Sequence, residues 1–126
     1  MKVMIVDDNA EMRGLIRTLL AEVADDFVEC TDGNEAVAAY EVERPDWAVM
    51  DVAMGTMDGV TATRLIMSKF PQSRILIVTQ HNHPKLRQSA HEAGAAGFLL
   101  KEDLLQLPSA LGGKGNSSGN EPSPRN

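Results

Sequence analysis

Five short apolar runs recur along the chain, at residues 3–6 (VMIV), 27–30 (FVEC), 47–50 (WAVM), 75–78 (ILIV) and 98–100 (FLL). Each is too short for a helix and most lack polar alternation, so they read as strands buried on both faces. Between the first two, Met12, Leu15, Ile16, Leu19, Leu20 and Val23 are spaced three and four apart, the stripe of an amphipathic helix. Asp32 with Glu35 three residues on marks a capping-box-like start to a second helix that ends before Pro45. A third helix is expected from about Asp58 to Lys69, and a fourth from near Pro84 to Gly94. Strand and helix therefore alternate throughout. That alternation predicts parallel strands joined by right-handed crossovers, a three-layer doubly wound α/β sandwich whose sites lie at the carboxyl ends of the strands.

The last helix breaks the rhythm. Residues 102–107 and 108–111 suffice only for a stub before Gly112-Gly113, and residues 112–126 hold only Gly, Ser, Asn, Pro and charged residues. Such a segment cannot offset its ordering entropy by burial, so one domain over 1–111 and a flexible tail over 112–126 are expected. The 126 residues suit a single core. No apolar run approaches the roughly 18 residues of a membrane span, and the first apolar stretch is too short for a secretory signal, so a cytoplasmic protein is expected. The lone cysteine, Cys30, fits a reducing compartment and reads as a buried strand residue. A formal charge of −6 argues against binding nucleic acid through phosphate contacts, which leaves a protein as the expected partner.

The chemistry gathers at the strand ends. Asp7 and Asp8 follow the first strand and Asp51 follows the third, so all three carboxylates arrive at one end of the sheet. If strands one and three are neighbours, mutual repulsion raises some of their pKa values. A divalent cation relieves it, and a small all-oxygen site that keeps several waters suits Mg²⁺ best, with Mn²⁺ as the alternative. Thr79 after the fourth strand can donate to a phosphoryl oxygen, and Lys101 after the fifth can neutralise its charge. Asp51 is then the nucleophile that forms an aspartyl phosphate. Taken singly, each residue has an ordinary structural reading. Asp8 and Glu11, for instance, have the spacing of an acidic helix cap.

In order and spacing, the acid pair, Asp51 inside DVAMGTMDG, Thr79 and the GAAGFLLK segment ending in Lys101 resemble the receiver domains of bacterial response regulators, over roughly residues 2 to 104. The resemblance implies a flavodoxin-like strand order 2-1-3-4-5. It implies that Asp8, Asp51 and the backbone carbonyl of Ala53 bind Mg²⁺, with Asp7 acting mainly through a bound water. A histidine kinase or phosphotransfer protein would be the donor, Phe98 the aromatic switch residue, and a downstream protein the target. Departures from the family pattern are Gly55 in place of a usual proline, Gln80 in place of a small residue, and Glu102 after the lysine where many members have proline. Gly55 implies a looser loop and Gln80 a more obstructed phosphate site. The short last helix implies a monomer or weak dimer.

Rival readings differ in testable ways. A haloacid-dehalogenase-type phosphatase needs its nucleophile in D-x-D after strand one, whereas the acids here are adjacent. A flavodoxin-like carrier needs a loop that cradles phosphate, which DDNAEM would repel. A receiver-like interaction module without useful phosphorylation, and the regulatory fragment of a DNA-binding regulator, both stay open. The sequence itself holds no helix-turn-helix. His81 and His83 have no further His or Cys ligand beside them and read as solvated loop residues, with His81, two residues beyond Thr79, expected near the phosphate site.

Overall fold

A computed structural model describes residues 1–55 and 57–112. The tail expected over 112–126 lies, Gly112 apart, outside the described residues. The chain runs β1 (Lys2–Val6), α1 (Ala10–Leu19), β2 (Asp26–Cys30), α2 (Gly33–Glu43), β3 (Trp47–Asp51), α3 (Gly59–Lys69), β4 (Ile75–Thr79), α4 (Pro84–Glu92) and β5 (Gly97–Leu100). A 3₁₀ segment (Lys101–Gln106) and the one-turn α5 (Leu107–Ala110) follow. The strands form one parallel sheet, doubly wound as the alternation predicts, in the order β2-β1-β3-β4-β5 that the resemblance implied.

Side chains alternate across the central strands and build two apolar layers. On one face Val3, Ile5, Val49, Leu76 and Val78 pack with Ile16 and Leu20 from the α1 side and with Leu104 and Leu107 from the chain's end. On the other, Met4, Val6, Met50, Ile75 and Ile77 pack with Ala36 and Tyr40 of α2, Ile66 of α3 and Ala90 of α4. The expectation that every strand is buried on both faces holds for β3 and β4 and nearly so for β1, but fails at the edges. β2 and β5 carry half-exposed positions because each has a neighbour on one side only. The α1 stripe also ends early: the helix stops at Leu19, Leu20 to Val23 form a turn, and Leu15 stays 46% exposed.

The helix starts follow local chemistry. Asp32 caps α2 by accepting from the Glu35 N–H, while the Glu35 carboxylate accepts from the Thr31 N–H. Asp58 caps α3 through the Thr61 N–H, and Pro84 occupies the first turn of α4. At α1 the cap is Asn9, which accepts from the Met12 N–H at 2.9 Å. The Asp8–Glu11 cap is thus displaced by one residue, and Asp8 stands free of the helix start.

Cys30 is 1% exposed, and burial first, then the nearby acids Glu35 and Asp32, push its thiol up to about 12. Only a thiolate reacts readily, so a disulfide-exchange reagent at pH 8 should label the denatured chain promptly and the native chain only as fast as it opens. Prompt native labelling would contradict this burial. The same shift has a pH consequence. An unfolded thiol ionises near 9 while the folded one stays protonated, so its contribution to stability falls between about pH 9 and 12, by roughly 1.4 kcal/mol per pH unit.

Candidate functional site

The site is assembled by topology. Because β1 and β3 are neighbours, with Val6 opposite Met50, Asp51 at the end of β3 meets Asp7 and Asp8 just past the end of β1. Ligand oxygens of the three carboxylates lie within 4.8 Å of one another. Asp7 and Asp51 are buried and Asp8 is exposed. Lys101, immediately after β5, reaches across the strand ends to Asp7 Oδ2 at 3.2 Å and Asp51 Oδ1 at 3.3 Å. Asp7 Oδ1 accepts in turn from the Asn9 N–H at 2.9 Å, so both of its carboxylate oxygens are engaged.

Burial pushes the Asp51 carboxyl above its ordinary range, and the Asp7 charge adds to the rise against the pull of Lys101. Burial acts to lower Lys101, but Asp51 and Asp7 outweigh it and the ammonium titrates above its usual value. One cation therefore stands between two buried acids with an exposed third beside them, so with the three carboxylates ionised the single ammonium leaves the group net negative.

Thr79, the last residue of β4, is 1% exposed, and its hydroxyl accepts from the His81 N–H at 3.2 Å. Phe98 lies on β5 opposite Ile77, in the same apolar layer. Strand alternation puts Thr79, two residues beyond Ile77, on that face too. The half-buried Phe98 ring is covered by the Arg87 guanidinium of α4, 4.4 Å from the ring centre. Ala53 is exposed in the loop after β3. An open concavity of about 180 Å³ is bounded by Asp7, Asp8, Asp51, Ala53, Thr79 and Lys101, so these sequence-selected residues converge. Phe98 is set back from it, behind the sheet end. A roomier cleft of about 400 Å³, between Tyr40, Arg44 and Phe70, has no acid cluster.

The donor set fits a hard divalent cation. It is all oxygen, the carboxylates lie close together, and the exposed Asp8 leaves the solvent side open for bound water. Sequence reasoning missed two contributors. Asn9 orients Asp7, and Gly59 lets α3 start against β3: a Cβ there would sit 1.9 Å from the Asp51 carbonyl oxygen and 2.8 Å from Met50 Cγ. The Gly59 N–H donates to the Val52 carbonyl at 3.0 Å, which closes the loop after Asp51. A glycine directly behind the capping Asp58 was the available signal.

The comparisons with known proteins agree with this architecture. The response regulator receiver domain model matches residues 3–111. The chemotaxis protein CheY of Thermotoga maritima is 33% identical over 101 residues, covering 79% of this chain and 84% of its own length. The CheY of Halobacterium salinarum is 34% identical over 110 residues, covering 87% of this chain and 90% of its own. Among solved structures, a LuxR-family two-component response regulator from Aurantimonas sp. superposes with a TM-score of 0.76 at 34% identity, over 84% of this chain and 78% of that one. A CheX-CheY-BeF3-Mg²⁺ complex from Borrelia burgdorferi gives 0.75 at 25% identity, over 85% and 86%. With the match running from the first strand to the last helix, the chain belongs to the response regulator receiver domain family.

Proposed function

We propose that the protein is a phosphoacceptor switch of a two-component or phosphorelay system, with Asp51 as the acceptor. The carrying observation is the convergence of Asp51 with Asp7, Asp8 and Lys101 at the sheet's carboxyl end. The donor is a phosphohistidine on a kinase or phosphotransfer protein. An Asp51 carboxylate oxygen attacks phosphorus, a P–O bond forms as the P–N bond breaks, and the electron pair returns to the imidazole, which takes up a proton. The product is an aspartyl phosphate, so the protein is both acceptor and switch and turns over no separate substrate.

Asp8, Asp51 and the Ala53 carbonyl are the proposed holders of Mg²⁺, with Asp7 assisting and Mn²⁺ as the alternative. When bound, such a cation supplies positive charge for a phosphoryl oxygen. Lys101, already between Asp7 and Asp51, is placed to follow the charge onto the phosphoryl group, and the Thr79 hydroxyl to donate to it. Movement of Thr79 would free space on the face it shares with Phe98 and bias the surface formed by α4 and β5 toward a downstream protein. The presence of BeF3 and Mg²⁺ in the related Borrelia complex supports this reading. We take the receiver domain to end at Leu111, and the one-turn α5 favours a monomer or weak dimer.

The test is intact mass spectrometry after treatment with a small acyl phosphate and Mg²⁺. The expected result is one added phosphoryl group per chain, removed by hydroxylamine as an acyl phosphate is and as a serine or threonine ester is not. An unchanged mass would favour an interaction module that keeps the fold without phosphorylation, and a hydroxylamine-resistant adduct would move the acceptor to a hydroxyl.

A further inference from the structure

The acid pair sits on a turn that is pinned from outside the site. Asp7 lies one residue past β1, and its N–H donates to the Cys30 carbonyl of β2 at 3.1 Å. Its carboxylate is held by Asn9 and Lys101. Its carbonyl accepts from Arg13 Nη1 of α1 at 2.8 Å. That carbonyl belongs to the same rigid peptide plane as the Asp8 nitrogen, so fixing the oxygen fixes where the Asp8 backbone sits.

Arg13 is itself fixed. Its Nε donates to Glu29 Oε1 on β2 at 2.9 Å, and Glu29 Oε2 accepts from Arg17 Nη1 at 2.9 Å. The Arg13 side chain is only 16% exposed, and its hydrogen bond is the foremost cause holding the Glu29 carboxyl below its ordinary range. A guanidinium suits the task because it donates along two directions at once, which a lysine ammonium on a flexible stem does not reproduce. Arg13 thus ties α1, the edge strand and the acid-bearing turn together, without itself reaching the carboxylates that would hold a cation.

We propose that Arg13 is a positioning residue for the acid pair: its clamp on the Asp7 carbonyl, anchored by Glu29, sets the placement of Asp8 and with it the affinity of the site for a divalent cation. The inference rests on the functional reading above and adds a residue outside the cation's own donor set.

The experiment is calorimetric titration of the full chain with MgCl2, beside melting curves and the metal-free chemical shift of the Asp8 amide. Arg13→Ala should weaken Mg²⁺ binding about tenfold or more, the scale typical when a partner supporting a metal ligand is lost. It should also move the Asp8 amide before any metal is added. Arg13→Lys keeps the charge but not the two-way geometry, and should fail to restore the affinity. Arg17→Ala removes an exposed partner of Glu29 that does not touch Asp7, and should change affinity by less than about twofold. Glu29→Ala loosens the anchor from an exposed edge position and should cause a several-fold loss, so it decides the matter if Arg13→Ala does not fold. A parent that binds Mg²⁺ with a folded Arg13→Ala, or failing that Glu29→Ala, of equal affinity overturns the inference alone. A parent that takes up no Mg²⁺ overturns the functional reading and the inference with it.

Discussion

Gly59→Ala is expected to destabilise the protein by about 3 kcal/mol or more, beyond the usual range for a single added methyl, because the clash is with backbone. The new Cβ would lie 1.9 Å from the Asp51 carbonyl oxygen and 2.9 Å from its carbonyl carbon. No rotamer change relieves a contact with a strand end, so either α3 or the end of β3 must shift. The hydrogen bond from the Gly59 N–H to Val52 would be strained by the same movement. Since domains of this size are held by only about 5–15 kcal/mol, the loss should show as a clear fall in denaturant midpoint. Gly14→Ala is the matched control. It lies within α1 with nothing within 4 Å of its Cβ, so alanine there should stabilise by about 0.5–1 kcal/mol through helix propensity. If the two variants melt alike, the close approach of α3 to β3 is wrong.

The contrast between those two glycines shows what the sequence could and could not disclose. Apolar runs such as ILIV and WAVM announced central strands, and Asp32, Asp58 and Pro84 marked helix starts, because these signals act over a few residues. Which strands lie at the edge depends on the sheet order, which the apolar runs do not carry and the resemblance alone implied, so the runs by themselves did not disclose the partial exposure of β2 and β5. Nor does a spacing rule tell Asp8 from Asn9 as the cap of α1. The turn is set by Asp7, which accepts from the Asn9 N–H while Lys101 holds its other oxygen. The three carboxylates could be brought together by reasoning, since parallel strands deliver their ends to one side. The arginine that holds the turn could not, because Arg13 and Glu29 meet only once β2 lies beside β1.

Asp51→Asn should abolish phosphoryl uptake and at the same time stabilise the metal-free fold. Loss of uptake follows from removing the oxygen proposed to attack, because an amide is not a nucleophile of this kind. The gain in stability follows from electrostatics: burial and the Asp7 charge disfavour the ionised Asp51 more than Lys101 favours it, which is why its pKa is raised. A carboxyl whose folded pKa lies above its unfolded value of about 3.8 is less readily ionised in the native state. Its penalty is therefore absent at lower pH, where both states are protonated, grows as pH rises through the window above 3.8, and is complete once the folded group has ionised. Asparagine removes that penalty and leaves Lys101 its contact with Asp7. The variant should thus melt above the parent at pH 7, with the gap closing as pH falls toward 4. Saturating Mg²⁺ should raise the parent's melting temperature and move the variant's far less, since one of the clustered carboxylates is gone. A variant that still gains a phosphoryl group places the acceptor elsewhere. One that melts below the parent at pH 7 would show that the Lys101 contact outweighs the cost of burying the Asp51 charge.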